Sequence, residues 1–540
     1  MGRVWIDSEQ VDQPALLALD PRDQLPADHL VWRVMAQVGE LDLSRFETAH
    51  REDGVGRPAY APKQVLQLLF YCANKRISAG QEIETACRDD LGARLIMGGR
   101  VVHRSTVDRF RDRHRAAITG LLAQTLTLAD RAGLLDLDLL AGDGTKYLAN
   151  AALGATVDED ALLKQIADLQ VQVGVLEAAW AEQTGAGTGE VDTTVQMLGL
   201  FGRQENLEDL PEERVAAVPA AADRANDLSK ERVSWRKLQS ASRLLASRQD
   251  LLRQLRERPS TAAGDWEVKV AKDADRVISC QAHVDATRAR LQAAADARAA
   301  KIAAGKKFPG NAPVPVEEHS HLRKAIQALA TATDRAQASA AKAPPTTKIN
   351  TTDPGSRIMP GKHDGFAQRY NVQVLTCPSQ IILAIEIHNS PNDKRALITL
   401  LLAARANLDA AGITRALGKA LFDAGYASEE NFTADLPVQQ LLVSVEKEAR
   451  QTQRLRDGTS TAAISWAQMT ATMTEPANIT LYKRRSAIIE PVFAQLFART
   501  GRDLPHRGTA AAQTDLHLRA VVHNLNKIHK ARHYQQQHPD

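Results

Sequence analysis

The chain has 540 residues, more than one compact core can serve, so we expect roughly two to four domains. Apolar residues make up 44% and charged residues 25%, as in soluble globular proteins, and the net charge of +3 does not by itself indicate a nucleic-acid partner. The first residues lack a basic-then-apolar signal pattern, and no apolar run reaches the roughly 18–20 residues of a membrane span. We therefore expect a cytoplasmic protein.

The first 125 residues are predicted to form a helical domain. Residues 61–72 and 78–94 repeat apolar side chains at helical spacing, and the pair Gly98 and Gly99 ends the pattern. A further helix is predicted to begin at Ser105, with Ser105 and Asp108 arranged as a capping pair.

This predicted helix is strongly basic in its first three turns. A helix, a glycine turn and a capped basic helix are the outline of a helix-turn-helix unit. The alternative is a solvated helix whose arginines pair with Asp108 and Asp112, and spacing alone slightly favours that alternative. The basic side chains are those of Arg109, Arg111, Arg113, His114 and Arg115.

A long helical segment is predicted to interrupt an α/β core. Residues 134–140 contain an alternating run, typical of a strand that ends at the turn 142–145. From about residue 158 to 343 the chain is rich in Ala, Gln, Arg and Glu and repeats apolar residues at three- and four-residue steps. This pattern predicts antiparallel, coiled-coil-like helices with breaks at 185–189 and 306–315.

Strand character returns after Asp353. Residues 370–376 and 381–387 flank a short turn and predict a β-hairpin. A helix over 394–410 and a short strand over 420–422 follow, and the last 60 residues are predicted to be helical. Within that last part, His523 and Asn524 lie on an apolar helix, so we expect them to pack rather than to react.

Two aspartates follow predicted strands at glycine turns, Asp143 in AGDGTK and Asp423 in LFDAGY. In a sheet with helical crossovers, the carboxyl ends of strands open into the ligand crevice. An aspartate there is a candidate ligand for a hard cation, although Asp-Gly is also an ordinary turn pair. None of the four cysteines lies in a CxxC pair, so no zinc ribbon is expected.

A third carboxylate comes from the predicted helix over 482–497. Its apolar residues share one face, and Glu490 lies at the border of that face, where a side chain can leave the core for a cleft. Pro491 removes one backbone hydrogen bond, so this helix either begins near Ile488 or bends there. The alternative is a border glutamate paired with Arg485 or Lys483.

Taken in order, these segments resemble the bacterial insertion-sequence transposases that have a ribonuclease-H-like Asp-Asp-Glu core. The resemblance rests on DGT, the hairpin, DAGY, YKRR and EPVF, and near the amino terminus on GRPAYAPKQVLQLLFY, ACRDD and HRSTVDRFRDRH. It covers roughly residues 25–150 and 350–530. The fold it implies is an α/β ribonuclease-H-like catalytic core with an all-α N-terminal domain and a long helical insertion. We place the N-terminal DNA-binding domain at 1–125, the catalytic domain at 133–155 and 350–530, the insertion at 156–345 and a flexible tail at 531–540.

Carried over position by position, the resemblance implies a catalytic, metal-binding triad of Asp143, Asp423 and Glu490. Two Mg²⁺ ions, with Mn²⁺ as a substitute, would activate the nucleophile and stabilise the leaving oxygen. Phosphate contacts would come from basic and aromatic side chains in both domains. These are Arg104, Arg109, Arg111 and Arg113, together with Tyr482, Lys483, Arg484 and Arg485.

The implied activity is metal-dependent cleavage of the insertion-sequence ends and strand transfer into target DNA. The partner is double-stranded DNA, both terminal inverted repeats and target, bridged by a homodimer. The family often has a lysine seven residues after the catalytic glutamate, where this chain has Phe497. Either Lys483, Arg484 or Arg499 supplies the missing cation, or terminal binding is weakened. Two alternatives to an active transposase stay open. One is a nuclease on the same fold that cuts without joining, which the triad cannot distinguish, and the other is a decayed copy that only binds DNA, which Phe497 favours.

Overall fold

The structure, a computed structural model, describes residues 22–47, 59–184, 235–258, 261–305, 314–341, 347–361, 365–445 and 461–538. The chain divides into two units, one formed by Met1–Ala155 with Thr352–Asp540 and the other by Thr156–Thr351. The second unit corresponds in position to the segment that the sequence marks as an insertion, predicted over 156–345. The first unit contains both the amino-terminal helices and the mixed sheet.

The described amino-terminal residues form helices that pack around a shared apolar core. Gly98 and Gly99 have φ angles of 60° and 74°, a left-handed conformation that glycine adopts without strain, and they follow the fifth helix. The helices are α1 (Leu30–Gly39), α2 (Ser44–Glu47), α3 (Pro62–Asn74), α4 (Gly80–Asp89), α5 (Leu91–Ile96), α6 (Arg104–Arg113) and α7 (Arg115–Arg131).

The basic helix, which the sequence predicts over 105–122, differs from the prediction at both ends. It begins at Arg104, and its N-cap is His103, whose ring accepts a hydrogen bond from the Ser105 N–H, so the predicted capping pair of Ser105 and Asp108 is wrong. It also ends at Arg113, because His114 separates α6 from α7.

The first strand, β1 (Leu139–Ala149), runs through the segment that the sequence predicts to be a turn. Asp143 pairs with Val374 in an antiparallel ladder that continues as far as Leu148. The prediction of a strand that stops before Gly142 is therefore wrong, because pairing with neighbouring strands overrides the local turn preference of Asp-Gly.

The second unit consists of helical pairs entered and left through a two-stranded ribbon. The ribbon is formed by β2 (Thr156–Val157) and β3 (Ile349–Asn350). The described helices are α8 (Glu159–Thr184), α9 (Trp235–Glu257), α10 (Thr261–Ala303) and α11 (Ser320–Ala340). Leu176 and Leu238 belong to the apolar contact between α8 and α9, and Val284 and Leu322 to that between α10 and α11. The predicted break at 185–189 lies outside the described residues, as do residues 306–313 of the predicted break at 306–315.

The mixed sheet of the first unit has the order β4-β5-β1-β7-β8, with β6 also paired to β5 and β9 to β1. The predicted hairpin is present as β5 and β6, and β1 joins it as an antiparallel neighbour. On its other side β1 is parallel to β7, which is parallel to β8. The strands are β4 (Arg357–Pro360), β5 (Phe366–Thr376), β6 (Ile382–His388), β7 (Leu417–Phe422), β8 (Val438–Val443) and β9 (Asp503–Leu504).

The other described helices of the first unit lie between the later strands or after them. They are α12 (Leu397–Ala410), α13 (Glu429–Thr433), α14 (Thr461–Thr474), α15 (Pro476–Tyr482), α16 (Arg485–Thr500) and α17 (Thr509–Gln537). Helix α16 begins at Arg485, inside the segment 482–497 predicted to be helical, and continues through Pro491, so the alternative of a start near Ile488 is wrong. Helix α17 extends to Gln537, so most of the tail predicted from residue 531 is helical. No helix within the described ranges is both long and apolar enough to cross a lipid bilayer.

Helix α17 is fastened to the sheet by buried polar side chains. The Asn524 amide accepts from the Ile382 N–H at 2.8 Å and donates to the Ile382 carbonyl at 2.9 Å, so it pairs with β6 as another strand would. His523 is buried, and its Nε2 lies 2.8 Å from the Gln380 carbonyl. Both residues therefore pack, as predicted.

A buried ion pair within α17 also reaches the end of α16 through hydrogen bonds. The Arg519 side chain is 2% exposed, and its Nε donates to Asp515 Oδ2 at 2.8 Å. Its other nitrogens donate to the Thr500 carbonyl at 2.8 Å and the Asp503 carbonyl at 2.7 Å. One guanidinium thus satisfies the last carbonyls of α16, the start of β9 and a buried carboxylate.

Candidate active site

Asp143 and Asp423 are neighbours on one face of the sheet. In the parallel pair of β1 and β7, Ala141 lies opposite Leu421, and each aspartate is two residues further along. Side chains alternate along extended backbone, and Asp423 is still extended with φ −81° and ψ 174°, so both carboxylates point to the same face. Burial raises the pKa of Asp143, and the charge of Asp423 adds to that rise.

Arg485 supplies positive charge at this pair of carboxylates. Its Nη1 donates to Asp143 Oδ2 at 3.1 Å, and the two side chains are 14% and 24% exposed. Burial alone would lower the pKa of Arg485, but Asp143 beside it raises the pKa above its ordinary value. The first residue of α16 thus contacts β1 directly.

Tyr482 ends α15 and contacts the other strand of the pair. Its hydroxyl donates to the Phe422 carbonyl at 3.1 Å, at the residue before Asp423. Burial raises the pKa of Tyr482. Two residues predicted to flank the site, Tyr482 and Arg485, therefore hold the two strands that carry the aspartates.

Glu490 is not brought to this pair. Its side chain is exposed, and no hydrogen bond or ion pair joins it to another described residue. Arg485 and Glu490 are five residues apart on one helix, so their side chains point about 140° apart when the helix is regular. In the part of the chain that the structure describes, no three His, Cys, Asp or Glu side chains are placed to hold a metal ion together.

The basic side chains predicted to contact DNA fall into two groups. Most are exposed, and these are Arg104, Arg109, Arg113, Lys483 and Arg484. Two are not: Arg485 contacts Asp143 as described above, and Arg111 is 7% exposed, donates to the Ser78 carbonyl at 2.9 Å and contacts His506. Its guanidinium is used inside the unit, so the structure gives it a packing role rather than the predicted phosphate contact.

Comparison with protein-family models gives two matches. Residues 19–113 match the Transposase domain (DUF772), and residues 446–529 match a Transposase DDE domain. These matches support an insertion-sequence transposase. Comparison with curated proteins and with solved structures gave no match.

The two matched regions cover different parts of the chain. The first includes α6 with its exposed arginines, and the second includes Tyr482, Arg485 and Glu490. Asp143 and Asp423 lie outside both regions, so their place beside Tyr482 and Arg485 comes from the structure alone. A DDE transposase domain implies a ribonuclease-H-like fold and a divalent metal, and the mixed sheet is consistent with that fold.

The donor chemistry at Asp143 and Asp423 suits a hard divalent cation, which prefers oxygen ligands. Each Oδ1 accepts one backbone N–H, that of Gly144 for Asp143 and that of Gly425 for Asp423, both at 2.8 Å. From the described residues, no hydrogen bond or ion pair reaches Asp423 Oδ2. Two of the three predicted carboxylates are thus adjacent, and the third stands apart.

Phe497, which departs from the family pattern, is part of an aromatic and cationic contact. Its ring centroid lies 5.4 Å from that of Tyr147, and the exposed Arg502 places its guanidinium carbon 4.2 Å from the same centroid. A cation on an aromatic face is held by the ring quadrupole. Arg502, which the sequence pattern does not single out, therefore brings positive charge to the position of the missing lysine.

Two further polar residues lie close to the aspartates, and sequence reasoning missed both. Lys146 on β1 forms an ion pair with Asp393, which precedes α12, at 3.6 Å. Burial lowers the pKa of Lys146, and Asp393 and Asp143 act in the opposite direction. Lys146 could have been found from its position three residues after Asp143, but nothing in SPNDKRA marks Asp393.

We expect Gly142→Ala to destabilise the protein by about 1–3 kcal/mol, the usual cost of overpacking a core. A Cβ at Gly142 would lie 2.2 Å from Cε1 of Phe422, whose ring is fully buried. Gly174→Ala in α8 is the matched control, because no atom lies within 4 Å of the added Cβ and a helical alanine stabilises by up to about 1 kcal/mol. Thermal unfolding of both variants tests this, and an unchanged melting temperature for Gly142→Ala would contradict it.

Proposed function

We propose that the transposase cuts the ends of its insertion sequence and joins the freed 3′-hydroxyls to target DNA at a metal site formed by Asp143, Asp423 and Glu490. The observation that carries this proposal is the convergence of two aspartates with Tyr482 and Arg485. Asp143 and Arg485 are 342 residues apart in the chain, yet their side chains are in hydrogen-bond contact. Convergence from separate segments is what a catalytic site requires and what a generic turn does not provide.

Asp143 and Asp423 would hold the divalent metal, with Mg²⁺ as the expected ion and Mn²⁺ as its substitute. When bound, a pair of such ions supplies activation of the water or 3′-hydroxyl and neutralises charge on the leaving oxygen. Arg485 would exchange its bond to Asp143 for a DNA phosphate, to which a guanidinium can donate two hydrogen bonds. Glu490 would complete the ligand set after the first turns of α16 rearrange on DNA.

DNA affinity in this proposal comes from two sets of exposed cations. Lys483, Arg484 and Arg502 lie in or directly after α15 and α16 and would hold the phosphates beside the scissile bond. Arg104, Arg109 and Arg113 on α6 would hold the terminal inverted repeat. Two copies of the chain, one on each end, would bring both ends to one target, so a homodimer on DNA is expected.

We expect the double variant Arg109→Ser/Arg113→Ser to weaken binding of terminal DNA by about 10-fold at moderate salt, because two phosphate contacts are removed. The salt dependence of binding should become shallower by about two contacts, on the order of 1.8 in the logarithmic slope. The matched control is Arg243→Ser/Arg290→Ser, which removes two exposed helical arginines of the second unit. Gel-shift titrations at several salt concentrations measure both quantities, and an unchanged slope for the α6 variant would rule these contacts out.

A strand-transfer assay tests the proposed activity as a whole. The intact chain is incubated with labelled terminal DNA, a supercoiled target plasmid and Mg²⁺, or Mn²⁺ in parallel. Joined products support the transposase proposal. Cleaved ends without joined products support a nuclease that cuts without joining, and products formed equally in chelator would contradict a metal-dependent reaction.

A second candidate function is DNA binding without catalysis, and two observations favour it. Glu490 is exposed and apart from the aspartates, and Phe497 occupies the position of a family lysine. A chain of this kind would bind terminal DNA with normal affinity and leave it uncut with either metal. Restoring cleavage with Phe497→Lys would show that the departure, rather than the fold, limits activity.

A further inference from the structure

Asp393 is the centre of a polar cluster beside the two aspartates. Its Oδ1 accepts hydrogen bonds from Asn371 Nδ2 at 2.7 Å and Gln373 Nε2 at 2.8 Å, and Lys146 Nζ lies 3.6 Å away. Asn371 and Gln373 are buried residues of β5, and Gln373 Nε2 also donates to Asn371 Oδ1 at 3.0 Å. Three donors therefore hold one oxygen of a single carboxylate.

This cluster is hydrogen-bonded to the turn that carries Asp423. The buried Tyr426 hydroxyl donates to Gln373 Oε1, and the Tyr426 N–H donates to the Asp423 carbonyl at 3.1 Å. Burial raises the pKa of Tyr426 well above its ordinary value, so its hydroxyl stays a donor. The position of the Asp423 turn is thus linked through Gln373 to Asp393.

The same cluster lies against β1 directly after Asp143. A Cβ on Gly144 would lie 2.4 Å from Gln373 Nε2 and 2.9 Å from Asp393 Oδ1, so the cluster occupies the space that a side chain would fill. Gly144 is also the residue whose N–H donates to Asp143 Oδ1. Contact with Asp393 and Gln373 therefore fixes the backbone that orients Asp143.

The second oxygen of Asp393 faces Asp423. An atom in the Cβ position of Gly425 would be 2.8 Å from Asp423 Oδ1 and 3.7 Å from Asp393 Oδ2, so both oxygens border one small space. Over the described residues, Asp393 Oδ2 accepts no hydrogen bond. Its negative charge therefore points toward the carboxylates to which we assign the metal.

We propose that Asp393 is a positioning residue of the metal site: it holds the backbone behind Asp143 and Asp423 so that their carboxylates meet a divalent ion in the right geometry. This inference rests on the proposed function of that site. Mg²⁺ demands near-ideal octahedral coordination, so misplacing either carboxylate penalises Mg²⁺ strongly. The more tolerant Mn²⁺ is penalised less.

The first test is metal binding by the intact chain without DNA. Calorimetric titration with Mn²⁺ and with Mg²⁺ compares wild type with Asp393→Ala and Asp393→Asn. We expect Asp393→Ala to weaken Mg²⁺ binding by about 10-fold or more, the range seen when an outer partner of a metal ligand is lost, and to weaken Mn²⁺ binding less. Asp393→Asn should stay within about threefold of wild type, because an amide oxygen can accept the same two hydrogen bonds.

Asp409→Ala is the matched control, since it removes an exposed carboxylate at the other end of α12. If Asp393→Ala does not fold, Tyr426→Phe replaces it. That change removes the hydroxyl that holds Gln373 and keeps the buried ring, and it should shift metal preference in the same direction. A merely structural role would lower the melting temperature without changing the ratio of Mg²⁺ to Mn²⁺ affinity.

Cleavage of terminal DNA separates this inference from the proposed function. Wild type that binds and cuts, with Asp393→Ala unchanged in metal affinity and metal preference, overturns the inference alone. Wild type whose metal affinity and metal preference depend on Asp393 as expected, but which never cuts, leaves the inference standing and overturns the proposed function. Wild type that binds neither metal overturns both.

Discussion

Replacing Asp143 or Asp423 by asparagine is expected to reduce cleavage of terminal DNA on the order of 10³-fold or more, about 4 kcal/mol of activation free energy. Asparagine keeps the size of the side chain and removes the charge that a divalent ligand site needs. Asp143→Asn also loses the ion pair with Arg485, which lies 3.1 Å away in the structure. DNA affinity should stay within about twofold of wild type, because phosphate contacts by cations dominate it.

Asp138→Asn is the control for this prediction, because Asp138 is an exposed carboxylate directly before β1. It should cut as fast as wild type. Cleavage time courses with Mg²⁺, paired with gel shifts of the same samples, give both quantities. If either active-site variant cuts within about tenfold of wild type, that aspartate is not a metal ligand in the reaction.

Glu490→Gln belongs in the same series. A loss as large as that of the aspartate variants would mean that Glu490 reaches the site when DNA is bound, although it is exposed in the free chain. A loss of less than about tenfold would leave Asp143 and Asp423 as the essential pair. The series therefore tests the third member of the triad separately from the first two.

The second large effect is on stability, at the buried pair of Arg519 and Asp515. We expect Arg519→Met to destabilise the first unit by about 3 kcal/mol, since removing one partner leaves an uncompensated buried charge. The nearby Arg111 and His506 keep this cost at the low end of the usual range, because both also lower the pKa of Asp515. Thermal unfolding should begin roughly 5–10 °C lower.

The control is Arg532→Met, which breaks an exposed pair with Glu40 and should cost no more than about 1 kcal/mol. The double variant Arg519→Met/Asp515→Leu should recover much of the loss, because an apolar pair needs no buried charge. If Arg519→Met has the same melting temperature as Arg532→Met, the buried pair stabilises the fold no more than the exposed pair, and the prediction is wrong.

The pair of Arg519 and Asp515 also makes the stability of the first unit depend on pH. Burial alone would raise the pKa of Asp515, but Arg519, His506 and Arg111 hold it below its ordinary value. The stabilisation is therefore complete above about pH 4, the pKa of an unfolded aspartate, and is lost as the pH falls through the folded pKa. The stability difference between wild type and Arg519→Met should narrow below about pH 4.

Local patterns in the sequence predicted the elements that local forces determine. The helix over 61–72, the hairpin and the strand before Asp423 follow from side-chain periodicity, and the structure has all three. The burial of Arg111 could also have been predicted from the local sequence. Four buried residues have the spacing of one helix face, namely Val107, Phe110, Arg111 and His114. Counting its arginines as solvent-facing overlooked that spacing.

Contacts between segments that are far apart in the chain could not be predicted from local patterns in the sequence. Strand β1 continues through Asp143 because β5 pairs with it there, and β5 comes after the second unit in the sequence. Asp393 joins the site through Asn371 and Gln373, which lie on another strand, so no local motif marks it. The orientation of Glu490 depends on where α16 begins, and a proline in the first turns made that start hard to place.

The two-stranded ribbon of β2 and β3 changes how costly it is to assemble the sheet. Asn350 and Thr156 are 194 residues apart in sequence, yet their side chains are 3.3 Å apart. The entropic cost of closing a loop grows with the logarithm of its length. If the ribbon forms first, the connection between β1 and β5 is effectively short, and the entropic cost of pairing these two strands falls by roughly 2–3 kcal/mol. The helical pairs beside the ribbon make local contacts that form quickly. A chain in which the ribbon is broken should therefore reach the same fold more slowly, with the delay seen in refolding rates rather than in the final structure.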